Sequence, residues 1–248
     1  MNEDSIAPHS VLRSAILSLI PGVVILLFFV LLVPIAAQYD IPALCVLFVA
    51  IPLVLAPLEL GYLFVQGRRL NGRLSLKGVV LFRERIPVWQ FVALVVALLA
   101  WMGFCFGTLG NQIDLVLIDR FFRWIPRWFF FDDLIQHRAQ YSRTVIVATM
   151  SLGLVFNGII GPIVEELYFR GFLLPRLNRV GWWAPLLNAL LFSLYHLFSP
   201  WQNVTRMLAL VPFVYTVWWK RNIFIGMAAH CGLNTAGMLL TIRFLSQT

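Results

Sequence analysis

Long apolar runs separated by short basic stretches dominate the chain. By length and punctuation they predict helices at approximately 13–37, 42–66, 88–109, 144–161, 163–179, 183–198, 204–220 and 222–244. Crossing the hydrocarbon core of a bilayer takes roughly 20 such residues at 1.5 Å rise each. The runs are continuous and do not alternate with period two, which argues against a transmembrane barrel. The expected fold is all-α: a polytopic helical membrane protein with seven or eight transmembrane helices. No period of about 20–50 residues points to a repeat array. One structural domain is expected, in which residues 1–140 flank a polar-cored segment, 141–248.

Composition supports the membrane reading, since the chain is 60% hydrophobic and 12% charged over 248 residues, beyond the roughly 45–50% apolar content of soluble domains. The formal net charge of +8 does not point to nucleic acid, because the basic residues sit mainly between apolar runs, where they set topology. Residues 1–15, with Glu3, Asp4 and a lone Arg13, do not make a signal peptide. The run 16–37 is too long for an h-region and is expected to be retained. Cys45, Cys105 and Cys231 are scattered through apolar segments and read as buried free thiols.

The loop 67–87 carries Arg68, Arg69, Arg73, Lys77, Arg83 and Arg85 against Glu84, and is expected in the cytoplasm. With two spans before it, the N-terminus is expected there too, in a protein of the inner cell membrane. The loop 110–143, with five arginines and four aspartates, suits the opposite side. Its Phe121–Trp128 run reads as an interfacial belt or a surface-lying segment. Gly161-Pro162 divides the expectations. If 144–161 and 163–179 each cross, Arg176, Arg179, Lys220 and Arg221 fall outside, against the positive-inside rule. If 144–179 is one passage they fall inside, but 36 residues of helix would be about 54 Å long against roughly 30 Å of hydrocarbon.

Against this apolar background stand Glu165-Glu166-x-x-x-Arg170, Phe192-x-x-x-His196 and His230-x-x-x-Asn234. An ionisable group in hydrocarbon costs roughly 2.5–3.5 kcal/mol on insertion scales, and such groups usually face a protein interior or a water-filled cavity. Glu165 lies 14 residues before Arg179, His196 lies 13 after Trp183, and His230 and Asn234 lie 9 and 13 after Arg221. These positions are roughly 14–21 Å from the basic turns. Helices that alternate in direction bring all four to similar depth, which predicts one polar intramembrane chamber.

Glu166 and Arg170, four apart on one helix face, read as an architectural ion pair. Glu165 points about 100° away around the helix, free to face another segment. A carboxylate with an imidazole makes a plausible water-activating pair, so Glu165 and His196 are the candidate acid/base residues. His230 and Asn234 share a helix face, where two N–H donors can stabilise an oxyanion or form an interhelical hydrogen-bonded pair. His196, His230 and Glu165 also make a two-His, one-carboxylate set. No His-Glu-x-x-His motif supports a metal there, and neither metal nor cofactor is expected. Glu59 reads as interfacial or as an interhelix hydrogen-bonder, His9 and His137 as solvated, and Ser193 lacks a base.

Glu165-Glu166-Leu-Tyr-Phe-Arg170, Phe192-Ser-Leu-Tyr-His196 and His230-Cys-Gly-Leu-Asn234, in this order, resemble the CPBP family of intramembrane proteases. That family includes type II CAAX prenyl endopeptidases and bacterial homologues linked to bacteriocin processing or self-immunity. The resemblance covers roughly residues 144–245. It implies that Glu165 and His196 activate the hydrolytic water while His230 and Asn234 form the oxyanion site. The expected function is a glutamic-type intramembrane endopeptidase acting on a peptide or protein substrate at or in the lipid bilayer. The alternatives are a non-catalytic peptide-binding or immunity factor and a proton-coupled transporter, the latter disfavoured by the lack of an inverted repeat.

Overall fold

A computed structural model describes residues 7–130 and 133–247, and every long apolar run in it is helical. Glu3, Asp4 and Asp132 lie outside the described residues. Helix α1, Val11–Ala37, starts at Ser10, whose hydroxyl accepts the Arg13 N–H. Helix α2, Ala43–Asn71, widens to π geometry over Ile51–Leu55, where Pro52 and Pro57 cannot donate to the helix ladder. It stops at Gly72, whose φ of 69° closes the last turn onto the Arg68 carbonyl. Helix α3 is Val88–Phe121, with a wide turn at Cys105–Leu109.

Helix α4, residues 143–173, starts under a Ser142 cap and carries two wide stretches, Gly153–Ile160 and Glu166–Leu173. A tight segment, Leu174–Trp183, follows and breaks at Gly181, where φ 57° and ψ −131° suit a residue without a Cβ. Helices α5 (Ala184–Tyr195), α6 (Asn203–Lys220) and α7 (Ile223–Gln247) complete the bundle. Among the described residues, five helical runs are long and apolar enough to cross a membrane: α1, α2, α3, Arg143–Tyr195 and α7.

Several expectations need correction. The chain passes Gly161-Pro162 without a break, with Gly161 at φ −54° and ψ −59°, so 144–161 and 163–179 are one helical run. The turns before Pro162 are already wide, which accommodates its ring and its missing N–H. Helix α3 continues twelve residues past 109, as Gly110–Phe121. It is held to α6 by the Thr205 hydroxyl donating to Asp114 at 2.6 Å. The aromatic belt is split: Phe121 and Trp124 are exposed, while Ile125 joins Phe129 and Phe130 against Phe29, Val33 and Trp201. Of the three thiols only Cys105 is buried, and Cys45 and Cys231 are half-buried.

Backbone contacts gather the basic segments at one end of the bundle. Leu81 N–H donates to the Gly171 carbonyl, Glu84 N–H to that of Arg221, and Ile223 N–H to that of Phe82. Arg176 reaches the Val79 carbonyl at 3.1 Å. The basic loop, the 174–183 segment and the α6–α7 turn therefore share an end, as the single-passage reading of 144–179 requires. The main core draws residues from both halves, among them Ile25, Leu55, Leu63, Phe169, Phe192 and Phe213.

The start of α1 is tied to the same end, because His9 N–H donates to the Arg176 carbonyl at 2.9 Å. His9 is not solvated: it is 5% exposed and sits edge-on to Phe172 at 5.6 Å. Burial, then Arg13 and Arg176, push its pKa from 6.5 down to about 4. Between those values the folded chain binds fewer protons than the unfolded one. The docking therefore stabilises fully above pH 6.5, and its contribution fades as pH falls toward 4. Thermal melts of the detergent-solubilised protein should lose up to about 3 kcal/mol across that window, and His9→Phe should flatten the dependence.

Candidate active site

Helix α4 sets the site by placing adjacent glutamates in different surroundings. Glu166 is fully buried, with Oε1 3.2 Å from Arg170 Nη1 and 3.1 Å from His230 Nδ1. The Arg170 guanidinium, also fully buried, stacks on Phe192 at 4.1 Å and Phe213 at 5.2 Å. Aromatic faces thus stand where water would otherwise solvate the cation. The pair reaches across to α7 and fixes the His230 ring. Gly226, one turn before His230, allows that approach, since a Cβ there would stand 2.5 Å from Glu166 Oε2.

Glu165 faces the other way. Its Oε1 is 3.9 Å from His196 Nε2 and its Oε2 is 3.8 Å from His230 Nε2. Both separations are too long for direct hydrogen bonds and suit a bridging water. His196 sits where α5 stops, at φ −78° and ψ 55°. The helix is only 12 residues long, about 18 Å, so the ring stands part-way down the bundle. His196 Nδ1 lies 2.8 Å from the Phe192 carbonyl. A carbonyl only accepts, so Nδ1 carries the hydrogen and the Nε2 lone pair faces Glu165. The Phe192 ring packs 4.7 Å from the imidazole, joining His196 to Arg170 on its other neighbours.

Asn234, one turn after His230, donates one amide hydrogen to the Asn157 carbonyl at 3.0 Å and keeps a second for the cavity. Glu165, His196, His230 and Asn234 all line one cavity of about 380 Å³ with otherwise largely apolar walls. Glu166 and Arg170 stand behind it and do not line it. Among the described residues, no group of three or more His, Cys, Asp or Glu side chains has the geometry to hold a metal ion.

Other polar residues around the cavity escaped the sequence reading. Arg206 lines it and donates to four neutral oxygens: Asn203 Oδ1 at 3.1 Å, Ser199 Oγ at 2.7 Å, Gln202 Oε1 at 3.0 Å and the Ser193 carbonyl at 3.4 Å. These bonds stitch the 196–202 turn beneath His196. Ser193 belongs to the same network, donating to the Asn203 carbonyl at 3.1 Å. The available signal was an arginine four residues after Gln202, inside an apolar run. Glu59 is a correction: it is fully buried, beside Tyr195 and Glu165, and not interfacial. The expected end of α2 at 66 placed it too shallow. The helix runs to Asn71, which puts Glu59 about 18 Å from that end.

Fold and site together define an all-helical protein with membrane-length helices and a buried carboxylate–imidazole cavity. Residues 147–236, which contain all seven residues named in the three motifs, match the family model for type II CAAX prenyl endopeptidase Rce1-like proteins. This match bears out the CPBP resemblance and supports a CAAX-type membrane protease in general. No curated protein and no solved structure is significantly similar to the chain.

Proposed function

We propose that the protein is an intramembrane endopeptidase that hydrolyses a peptide bond of a membrane-associated protein or peptide, using water held between Glu165 and His196. The observation that carries this reading is the 3.9 Å gap between a carboxylate oxygen and an imidazole acceptor nitrogen, opening on one cavity. In the proposed reaction Glu165 takes a proton from the water as its oxygen attacks the carbonyl carbon. His196 Nε2 accepts the water's other hydrogen and orients it. The C–O bond forms, and the carbonyl oxygen becomes an oxyanion held by Asn234 and His230. The Nε2 edge of His230 faces that oxyanion, while Glu166 holds the ring by its Nδ1 edge at 3.1 Å. Glu165 then returns its proton to the leaving nitrogen and the C–N bond breaks. One water is consumed, and a carboxylic acid and an amine are released.

In this reading the end carrying the basic loop 67–87 lies in the cytoplasm of an inner-membrane protein. The embedded bundle consists of the seven helices α1–α7, and α5 with α6 forms a hairpin that delivers His196 to the intramembrane cavity. Termini-resolved proteomics of membranes from cells carrying the wild type or Glu165→Ala tests the proposal. A substrate should accumulate uncleaved in the variant while its truncated product disappears. Identical profiles would overturn the proposal, and a phenotype retained by Glu165→Gln would point to a binding factor.

A further inference from the structure

The cavity holding Glu165 and His196 is lopsided along the bundle. Asn71, Lys220 and Ile223 mark the basic end of α2, α6 and α7, and each helical residue beyond them adds about 1.5 Å of depth. On α7 the lining residues run from His230 to Thr241, about 10 to 27 Å from that end. On α6 they run from Phe213 to Arg206, about 10 to 21 Å away, and on α2 from Leu55 to Leu44, about 24 to 40 Å away. None of the lining residues belongs to the loop 67–87 or to the 174–183 segment. Glu165, His196 and His230 therefore form the floor of the cavity, and its walls rise toward the opposite end.

Packing closes the basic end. Val79, Val80 and Phe82 of the loop are buried in the main core. Leu81 N–H donates to the Gly171 carbonyl, and the fit is so close that a Cβ on Gly171 would stand 2.6 Å from Val80 Cγ1. Over this plug the Arg170 guanidinium lies against the rings of Phe192 and Phe213 and beside Glu166. Exposure grows the other way: Leu55, Ile51 and Ala50 are buried, whereas Leu44 and Thr241 are half-buried and Ile135 is 38% exposed. The outer half also carries Ser199, Gln202, Arg206 and Thr241, polar groups that can hydrogen-bond water on its way to Glu165. Ile135, on the short helix Asp133–Gln136, lines a second cavity as well, of about 1060 Å³, walled by Arg138, Tyr141, Arg143, Met150 and Leu245. The two spaces meet at this side chain, far from the basic loop.

We infer that water and substrate reach Glu165 and His196 from the end opposite the basic loop, with the larger cavity as an antechamber. The substrate is then a segment of a membrane protein or peptide that emerges on the extracytoplasmic face, because the positive-inside rule puts the basic loop in the cytoplasm. The route rests on the shape of the cavity; that it carries a substrate rests on the protease reading.

Thiol labelling of the full-length protein in membrane vesicles tests the route without a substrate. Cys45→Ala/Cys231→Ala removes the two half-buried thiols, and Cys105 is buried. In that background Thr241→Cys and Leu233→Cys report on the outer and inner cavity, and Leu74→Cys, at a side chain 68% exposed, marks the basic end. A charged, membrane-impermeant methanethiosulfonate should label both cavity positions in right-side-out vesicles and lose them in inside-out vesicles, with Leu74→Cys showing the reverse. Cavity positions that label on the same face as Leu74→Cys, on both faces or on neither overturn the route. A complete exchange of faces keeps the route and overturns the extracytoplasmic assignment. Ile135→Trp should slow the labelling of Leu233→Cys, and an unchanged rate overturns the antechamber. Cut sites in cytoplasmic segments overturn the side of substrate entry. If the Glu165→Ala membranes show no lost cleavage, the protease reading fails while the labelling pattern stands.

Discussion

Glu165→Gln should lower the single-turnover rate of substrate cleavage in liposomes by about 10³–10⁴-fold, the range of a general base removed outright. Glutamine keeps the size of the side chain, but it cannot take the water's proton. His196→Ala should cost about 10²–10³-fold, because it removes the Nε2 acceptor 3.9 Å from Glu165 while leaving the carboxylate in place. The double variant should be little slower than Glu165→Gln alone, since two residues that hold one water act as a unit. Asn234→Ala should lose about 10²-fold, in line with removing one oxyanion donor. A rate within tenfold of the wild type for either Glu165→Gln or His196→Ala would sink the assignment of roles.

The site was largely legible in the sequence for a geometric reason. Glu165, His196, His230 and Asn234 were placed by counting residues from basic turns, and that count works only if the turns share one end. The hydrogen bonds linking the 67–87 loop to Gly171 and Arg221 show that they do. Helical spacing also separated Glu166 and Arg170 from Glu165, because adjacent side chains on a helix diverge by about 100°. What spacing could not supply were contacts between segments far apart in sequence. Whether α2 stopped at 66 or 71 decided the depth of Glu59. The bond from His9 to Arg176 decided that a polar tail residue is buried. Gly161-Pro162 reads as a helix break on local rules, yet wide turns on α4 carry the helix through it. Arg206 was hidden for a local reason, since its partners Ser199 and Gln202 lie in a turn whose path depends on α5 stopping early.

Arg170→Leu should destabilise the protein by about 3–5 kcal/mol, the cost of leaving one member of a buried ion pair uncompensated. Glu166 would then be an anion at 0% exposure with His230 as its remaining ion-pair partner among the described residues. Removing both charges, in Arg170→Leu/Glu166→Leu, should recover at least half of that loss. Apolar residues suit the pocket formed by Phe169, Phe192 and Phe213, and buried pairs are often replaceable in this way. Thermal and chemical unfolding of all three variants in detergent measures the cycle; a double variant as unstable as the single would show that charge balance is not what Glu166 contributes. Cleavage should not recover along with stability. The double variant removes the carboxylate 3.1 Å from His230 Nδ1, freeing the ring to turn away from the cavity. Gly226→Ala approaches the same point more gently, because its Cβ would crowd Glu166 Oε2 at 2.5 Å. It should lower the cleavage rate by more than its modest effect on melting would account for. Recovered folding without recovered turnover would place the value of this buried pair in orienting His230, not in holding α4 against α7.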